Sequence, residues 1–325
     1  MIRALFLVAC AAATPSFINN AAAQSYPVRP ITIVVPFPAG GPTDALTRIL
    51  AERMTALLGQ TLVVENITGA AGTIGAGRIA RATPDGHALV MGNVSTHVVN
   101  GAVYPLTYDL VKDFEPIALV ASNPQLIVAK RTLPADNLKE FVAWLKVNGE
   151  KALQGTAGTG SPAHIGGVLL QAATGTHFQF VPYRGAAPIM QDLIAGQIDF
   201  TLAQTANALP QARDGKIKAF AVTAPRRLAE AADIPTTDEA GLAGFHVSIW
   251  HGLWAPKGTP ADAIAKINAA VVNTLVDQKT VRRLADLGIE IPPREQQTSE
   301  GFRAYHNAEI ARWWPIIKAA NIKPE

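Results

Sequence analysis

The chain carries a single cysteine, Cys10, among 325 residues, and only 16% of its residues are charged. One cysteine excludes a disulfide scaffold and every multi-cysteine metal site. The formal net charge is only +3, with the basic residues scattered. No basic stripe of the kind a nucleic-acid binder uses is present, so no nucleic-acid partner is expected. The seven histidines, at 87, 97, 164, 177, 246, 251 and 306, show neither H-x-x-x-H nor H-E-x-x-H spacing, which leaves a metal site without support. There is no G-x-x-x-x-G-K-[ST] phosphate loop and no G-x-S-x-G nucleophile elbow. Gly75-Ala76-Gly77-Arg78-Ile79-Ala80 fits a loose G-x-G-x-x-A pattern. It does not directly follow a strand and has no acidic residue about twenty positions on, so dinucleotide binding is not expected. No apolar stretch approaches the roughly 20 residues a bilayer requires. Nor is there a low-complexity linker or a repeat of solenoid period. What is there is 49% apolar residue with 26 Gly and 23 Pro spread along the chain. This composition excludes disorder and coiled coil, and the length favours two domains over one.

The first residues read as an address. Met1-Ile2-Arg3, an apolar run from Ala4 to Ala13 and Ala21-Ala22-Ala23 before Gln24 make a secretory signal peptide over 1–23. Leu7-Val8-Ala9-Cys10 resembles a lipoprotein box, but too few residues precede Cys10, so it is read as part of a discarded leader. The mature chain would then contain no cysteine, carry a formal charge of +2 and need no oxidative folding.

Beyond the leader, short β-branched runs alternate with helical patterns. Strands are expected at Ile31–Val35, Leu62–Glu65, Ala88–Met91, Ile117–Ala121, Leu126–Ala129, Phe178–Val181, Ile198–Leu202, Lys218–Val222 and Val247–Trp254. Helices are expected at Asp44–Leu58, Ile74–Ala82, Leu138–Asn148, Pro162–Thr174, Ala187–Ala195, Ala261–Val276 and Ser299–Asn321. Strands apolar on both faces and alternating with helices indicate α/β domains with covered, mostly parallel sheets. Ile117–Lys130 and Phe245–Pro256 are the runs expected to cross between two lobes. They divide the mature chain into a first lobe of 24–121 plus 247–325 and a second of 122–246, with the C-terminal helix free to pack on either.

Two glycine-rich strand-to-helix turns carry the functional information. Pro36-Phe37-Pro38-Ala39-Gly40-Gly41-Pro42-Thr43-Asp44 follows the first strand, and Gly41-Pro42 suits a helix start. Glycines there admit a ligand to the backbone, and the free N–H groups with the helix dipole favour an anion such as a carboxylate. Gly155-Thr156-Ala157-Gly158-Thr159-Gly160-Ser161-Pro162-Ala163-His164 repeats the design, with Ser161 as N-cap and the Thr159 and Ser161 hydroxyls able to donate. Either turn alone is equally well read as a tight bend. One in each lobe points to a cleft gripped from both sides. Ser161 and His164 also invite a hydrolase reading, although three residues apart at a helix start they are better placed to face a ligand together. Trp250 and Trp254 are read mainly as core, as are Trp313 and Trp314.

In order and spacing, several stretches together resemble the Bug family, the extracytoplasmic solute receptors of tripartite tricarboxylate transporters. They are Val35–Asp44, Val64-Glu65-Asn66 with Gly69–Gly77, Pro84-Asp85-Gly86, Tyr108–Phe114, Gly158–His164, Val181–Gly185, Ala195–Asp199 and Gly252–Pro256. The resemblance implies a two-lobed periplasmic binding protein fold, of the Venus-flytrap kind, each lobe a mixed, mostly parallel sheet flanked by helices. It implies a non-enzymatic, monomeric periplasmic receptor, without cofactor, that delivers a small organic carboxylate to the membrane subunits of such a transporter. A sensory receptor of the same fold is the alternative. Carried onto this chain, the first turn gives Phe37, Ala39, Gly40 and Asp44 as ligand-binding residues, and the second gives Thr159, Ser161 and His164. Ser95, Thr96, His97 and Tyr183 are also expected to face the cleft. Many relatives have an acidic residue where this chain has Ala203, followed by Gln204. A carboxylate there could pair with a ligand ammonium, so its absence favours hydroxy-, di- or aromatic carboxylates over amino acids.

Overall fold

The structure, a computed structural model, describes residues 26–319 and Ile322. The expected leader and Cys10 lie outside these residues. Strand β1 (Ile31–Val35) leads into helix α1 (Pro42–Leu58), followed by β2 (Leu62–Asn66), α2 (Thr73–Ala80), β3 (Ala88–Asn93) and the short α3 (Asn100–Val103). The long strand β4 (Phe114–Lys130) introduces α4 (Leu138–Asn148), β5 (Leu153–Thr156), α5 (Pro162–Thr174), β6 (Gln179–Pro182) and α6 (Ala186–Ala195). Next come β7 (Phe200–Gln204), α7 (Thr205–Arg213), β8 (Ile217–Val222) and β9 (Ser248–Pro256), and then α8 (Ala261–Leu275), α9 (Gln278–Asp286) and α10 (Ser299–Ala319).

The strands join in the order β2-β1-β3-β9-β4-β7-β5-β6, with β8 also on β4. Strand β4 belongs to both ends of this order. Phe114 to Pro124 pair antiparallel with β9, whereas Gln125 to Lys130 pair with β7 and β8. In the first half β1 runs parallel to β2 and β3; in the second, β5 runs parallel to β6 and β7. The sequence shows two separate runs where β4 is one strand. The interruption is Ser122-Asn123-Pro124, polar residues that keep the ladder: Ser122 exchanges backbone bonds with Glu290, and Pro124 lies opposite Ser248.

Each half is covered on both faces. Leu46, Ile49, Leu50 and Met54 of α1 pack on Ile31, Ile33 and Val35 together with Ile267 and Val271 of α8. On the opposite face α10 contributes Phe302, Trp313 and Ile317 to a core with Val34, Val90 and Trp254, so the C-terminal helix packs on the first half. The second half buries Phe141, Phe178, Phe200 and Phe220 on one face and Leu126, Ile189, Leu193 and Leu209 on the other. Four elements escape the sequence pattern, the single-turn α3 among them. β5 is short and contains Gln154 and Gly155; the buried Gln154 donates its amide N–H to the Ala163 carbonyl. Helix α7 contains Pro210 and weak periodicity, and α9 is a polar helix capped by Asp277, which accepts from the Thr280 N–H.

Gly252 in β9 shows how tightly the first half is packed: a Cβ there would lie 2.0 Å from Cζ of Phe302, itself fully buried. Gly252→Ala should therefore cost at least about 1 kcal/mol by overpacking, seen as a lower midpoint in thermal unfolding. An unchanged midpoint would show that Phe302 moves aside freely.

Candidate functional site

The carboxyl ends of β1 and β5, the first strands of their halves, each lead through a glycine turn into a helix, and crevices at such ends are where open α/β sheets bind ligands. The two turns are finished differently. Gly41, the N-cap of α1, has no side chain and makes no side-chain cap, and Pro42 follows it. The backbone N–H groups of Thr43 and Asp44, in the unpaired first turn of the helix, thus receive no acceptor from their own cap. At the second turn Ser161 does cap: its Oγ accepts from the His164 N–H at 3.3 Å. The first helix start thus has no side-chain cap, whereas the second is capped by its own serine.

The first turn is held by Asp44. Its buried carboxylate accepts from the Gly40 N–H at 2.9 Å, from Nε of Arg48 at 3.0 Å and from Nδ2 of Asn66 at 3.0 Å. Burial pushes the Asp44 pKa up, but the hydrogen bonds from Arg48, Gly40 and Asn66 outweigh it and hold the group below the usual carboxylate range. Asn66 also donates to the Phe37 carbonyl at 3.0 Å. Asp44 therefore braces the turn, and the Gly40 N–H serves that brace. Gly40 sits at φ 77°, which permits the bend, and the Phe37 ring leans on the apolar core beneath while Ala39 is exposed. Arg48 was not singled out in the sequence, because a basic residue one helical turn along reads as surface until its partner is placed.

The second turn abuts the first half. The Tyr104 hydroxyl donates to the Thr159 carbonyl at 3.3 Å, and a Cβ on Gly160 would lie 3.4 Å from Val99. Nδ1 of His164 accepts from the Gly160 N–H, and its ring meets Phe180 edge-on at 4.6 Å. The Ser161 oxygen thus bonds the backbone of His164 and not its imidazole, which is no nucleophile–base arrangement. Farther along this edge, the Tyr183 hydroxyl donates to Asp192 at 2.7 Å; burial, then Asp192, pushes its pKa up to about 12. Tyr183 is therefore tied to α6. Ala203 and Gln204 end β7, with Gln204 as the N-cap residue of α7 and its Oε1 without a partner.

The segment after β3 departs from the sequence expectation. Asn93 Oδ1 accepts from the N–H groups of Ser95 and Thr96 and starts a π-helical turn over Ser95–Val99. Thr96 and His97, expected to face the cleft, are instead wholly buried in the core. Nδ1 of His97 bonds the Thr96 hydroxyl at 2.9 Å, and its ring stacks on Trp254 at 3.8 Å. The physical reason is Gly92: any side chain there would occupy the place of the His97 ring. These two side chains support the site wall. Ser95 is buried with its hydroxyl unpartnered.

His251, one of the seven histidines without metal-ligand spacing, reaches the first turn: its Nε2 lies 3.0 Å from Oγ1 of Thr43. Burial lowers its pKa to about 4; burial, then the neighbouring His306, lowers that of His97, and burial lowers that of His306. All three rings are neutral in the fold and protonate more readily when unfolded. Below the ordinary histidine pKa the unfolded state binds more protons, so stability is highest above pH 6.5 and falls as pH drops toward about 4. His251 alone should account for about 2 kcal/mol lost between pH 7 and pH 5. Thermal unfolding at the two pH values checks this, and His251→Phe should flatten the slope. Among the described residues no group of three or more His, Cys, Asp or Glu could hold a metal ion, and no helix is long and apolar enough to cross a membrane.

Comparison with known proteins places the chain in a family. The family described as "Tripartite tricarboxylate transporter family receptor" (TctC) matches residues 46–322. The chain is 39% identical over 300 residues to the "UPF0065 protein in the TAR-I ttuE-ttuC' intergenic region" of Agrobacterium vitis, covering 92% of this chain and 86% of the relative. It is similar in structure to the periplasmic binding protein BugD, with 40% identity, a TM-score of 0.85 and coverage of 92% of this chain and 100% of the other. It is also similar to MatC from Rhodopseudomonas palustris, whose structure holds malate, with 40% identity, a TM-score of 0.83 and coverage of 90% and 100%.

Proposed function

Since the chain belongs to the tripartite tricarboxylate transporter receptor family, we propose that it captures a small organic carboxylate in the periplasm and hands it to the membrane subunits of a transporter of that type. Its fold is the two-lobed periplasmic binding protein fold, and its relatives are solute receptors, not enzymes. No bond is made or broken: the work is closure of two lobes, driven by higher ligand affinity in the closed state. The double pairing of β4 supports a first lobe of 24–121 plus 247–325 and a second of 122–246. Export rests on the leader at 1–23, and the chain acts as a monomer without a cofactor.

The observation that carries this reading is the open start of α1. A carboxylate at the Thr43 and Asp44 N–H groups would complete a helix start that no side chain caps, with a favourable dipole. The Asp44 charge is already met by Arg48, so it does not repel the ligand. Phe37, Ala39 and Gly40 form the near wall. Thr159, Ser161 and His164 close from the other lobe, with Ser95, Ala203 and Gln204 at the edges and Tyr183 behind. The malate in MatC supports a ligand of this class. Charge-assisted bonds from backbone and hydroxyl groups suffice without a buried lysine or arginine.

A thermal-shift screen of the mature protein against carboxylates, amino acids and neutral sugars tests this. A ligand at a hundred times its dissociation constant adds about 2.7 kcal/mol, which for a chain of this size moves the midpoint by roughly 2 °C or more. Shifts confined to carboxylates are expected. Shifts from sugars or amino acids alone would overturn the carboxylate reading. Co-purification with a large and a small membrane subunit in a detergent extract tests the delivery step.

A further inference from the structure

Beneath the two glycine turns, along the strands that the two halves share, lies a row of polar side chains whose bonding capacity the fold does not use. Asn123 in β4 is fully buried, and neither its amide nitrogen nor its carbonyl oxygen has a partner. It stands at the join: Pro124 is the last β4 residue paired with β9, and Gln125 the first paired with β7. His251 lies opposite Ala121, two residues before Asn123, and is also buried, with Nδ1 unpartnered. Strand alternation puts Ala121, Asn123 and His251 on one side of the sheet. Gln125, opposite Gln204, extends toward α5: its unpartnered Oε1 would lie 2.8 Å from a Cβ on Gly166. The row thus runs from the helix of the first turn to the helix of the second.

The Thr43 hydroxyl and Nε2 of His251 bond each other, and in either tautomer Nδ1 is left as an unmet donor or acceptor. Asn123 adds a donor and an acceptor. Buried groups of this kind are costly to leave unpaired, and their retention at a binding site points to a partner. Neither residue is bonded to a charged group, so a second carboxylate buried here would lack a counter-ion. A hydroxyl, which accepts and donates at once, matches the set.

We propose that His251 and Asn123 form a neutral subsite for a ligand hydroxyl next to the carboxylate held at the start of α1, so that this receptor selects hydroxy acids over their deoxy analogues. The proposal deepens the receptor reading and rests on it. The hydroxyl is adjacent to the carboxylate because the His251 ring bonds Thr43, whose own backbone N–H is one of the two open groups at the helix start.

Calorimetry with the mature protein and matched probe pairs, L-malate with succinate and L-lactate with propionate, tests it. The hydroxy member of at least one pair should bind about tenfold or more tightly than its partner, since a site built to bond a hydroxyl rejects the analogue that lacks it. His251→Phe and Asn123→Leu should each bring that ratio close to one, weakening the hydroxy member at least tenfold more than the deoxy member. The unliganded Asn123→Leu protein should unfold at the same temperature as the parent or higher, because an unpaired buried amide is replaced by an apolar group of similar size. A purely structural asparagine would instead lower it. If His251→Phe does not fold, His251→Gln serves, with the same expected loss of the ratio. Equal affinity within every pair, or variants that weaken both members alike, would overturn the subsite while leaving the carboxylate receptor intact. No binding of any carboxylate would overturn both.

Discussion

Replacing Ser161 by alanine is expected to weaken binding of the carboxylate identified by the screen about 5- to 150-fold. The Ser161 Oγ spends a lone pair on the His164 N–H, which leaves its proton as a donor at the mouth of the second turn. Removing a donor from a buried anion costs about 1–3 kcal/mol, which is the stated change in affinity. The same substitution removes the cap of α5, so the unliganded midpoint should also fall, by the equivalent of about 1 kcal/mol. Ser161→Thr separates the two effects, because it keeps an oxygen that can both cap and donate, and most of the affinity should survive. Calorimetry reads the binding term and thermal unfolding the cap. An unchanged affinity in Ser161→Ala would remove the second turn from the site and leave the open start of α1 to hold the ligand alone.

The largest effect on stability is expected at Glu309. This residue of α10 is buried, and its Oε2 accepts from the indole N–H of Trp250 at 2.8 Å and from that of Trp313 at 2.9 Å. Glu309→Leu would strand two buried donors at once, for about 2–5 kcal/mol. The midpoint of thermal unfolding should fall by several degrees, roughly 5–10 °C for a chain of this size. Glu309→Gln keeps one acceptor oxygen and should lie between leucine and the parent. Trp250 belongs to β9 and is one of the two indoles that Glu309 holds, so its fluorescence reports the same event directly. A midpoint unmoved by leucine would mean that water reaches both indoles and α10 is held by its apolar contacts alone.

Much of the fold is legible in the chain because burial writes periodicity into residue type. Ile31–Val35 is β-branched throughout and forms β1 with the expected limits, and the apolar face of Leu46, Ile49, Leu50 and Met54 forms the buried side of α1. Gly59 stops that helix in the left-handed conformation, its N–H bonded to the Thr55 carbonyl. The pattern fails where polar residues are buried inside a strand. Gln154 hides β5, and Asn123 hides the continuity of β4. Helix α9 is held by a cap rather than by an apolar stripe.

The glycine turns are just as visible, because only certain residues allow a strand to bend into a helix with its first N–H groups exposed. The sequence by itself therefore determines the α/β class, the two turns, the absence of multi-cysteine metal chemistry and the family. Which atoms of the turns remain free is decided only in three dimensions. The Asp44 carboxylate braces its own turn, because Asn66 and Arg48 converge on it from a neighbouring strand and the next helical turn. His97 looks like a cleft residue and is core, because Gly92 makes room for its ring beside Trp254. His251 keeps Nδ1 unpartnered while its Nε2 meets Thr43, and the Asn123 amide has no partner at all. Hydrogen-bond satisfaction depends on partners far apart in the chain: Thr43 and His251 are 208 residues apart. Residue type supplies the donors and acceptors, and only the tertiary structure decides which of them meet.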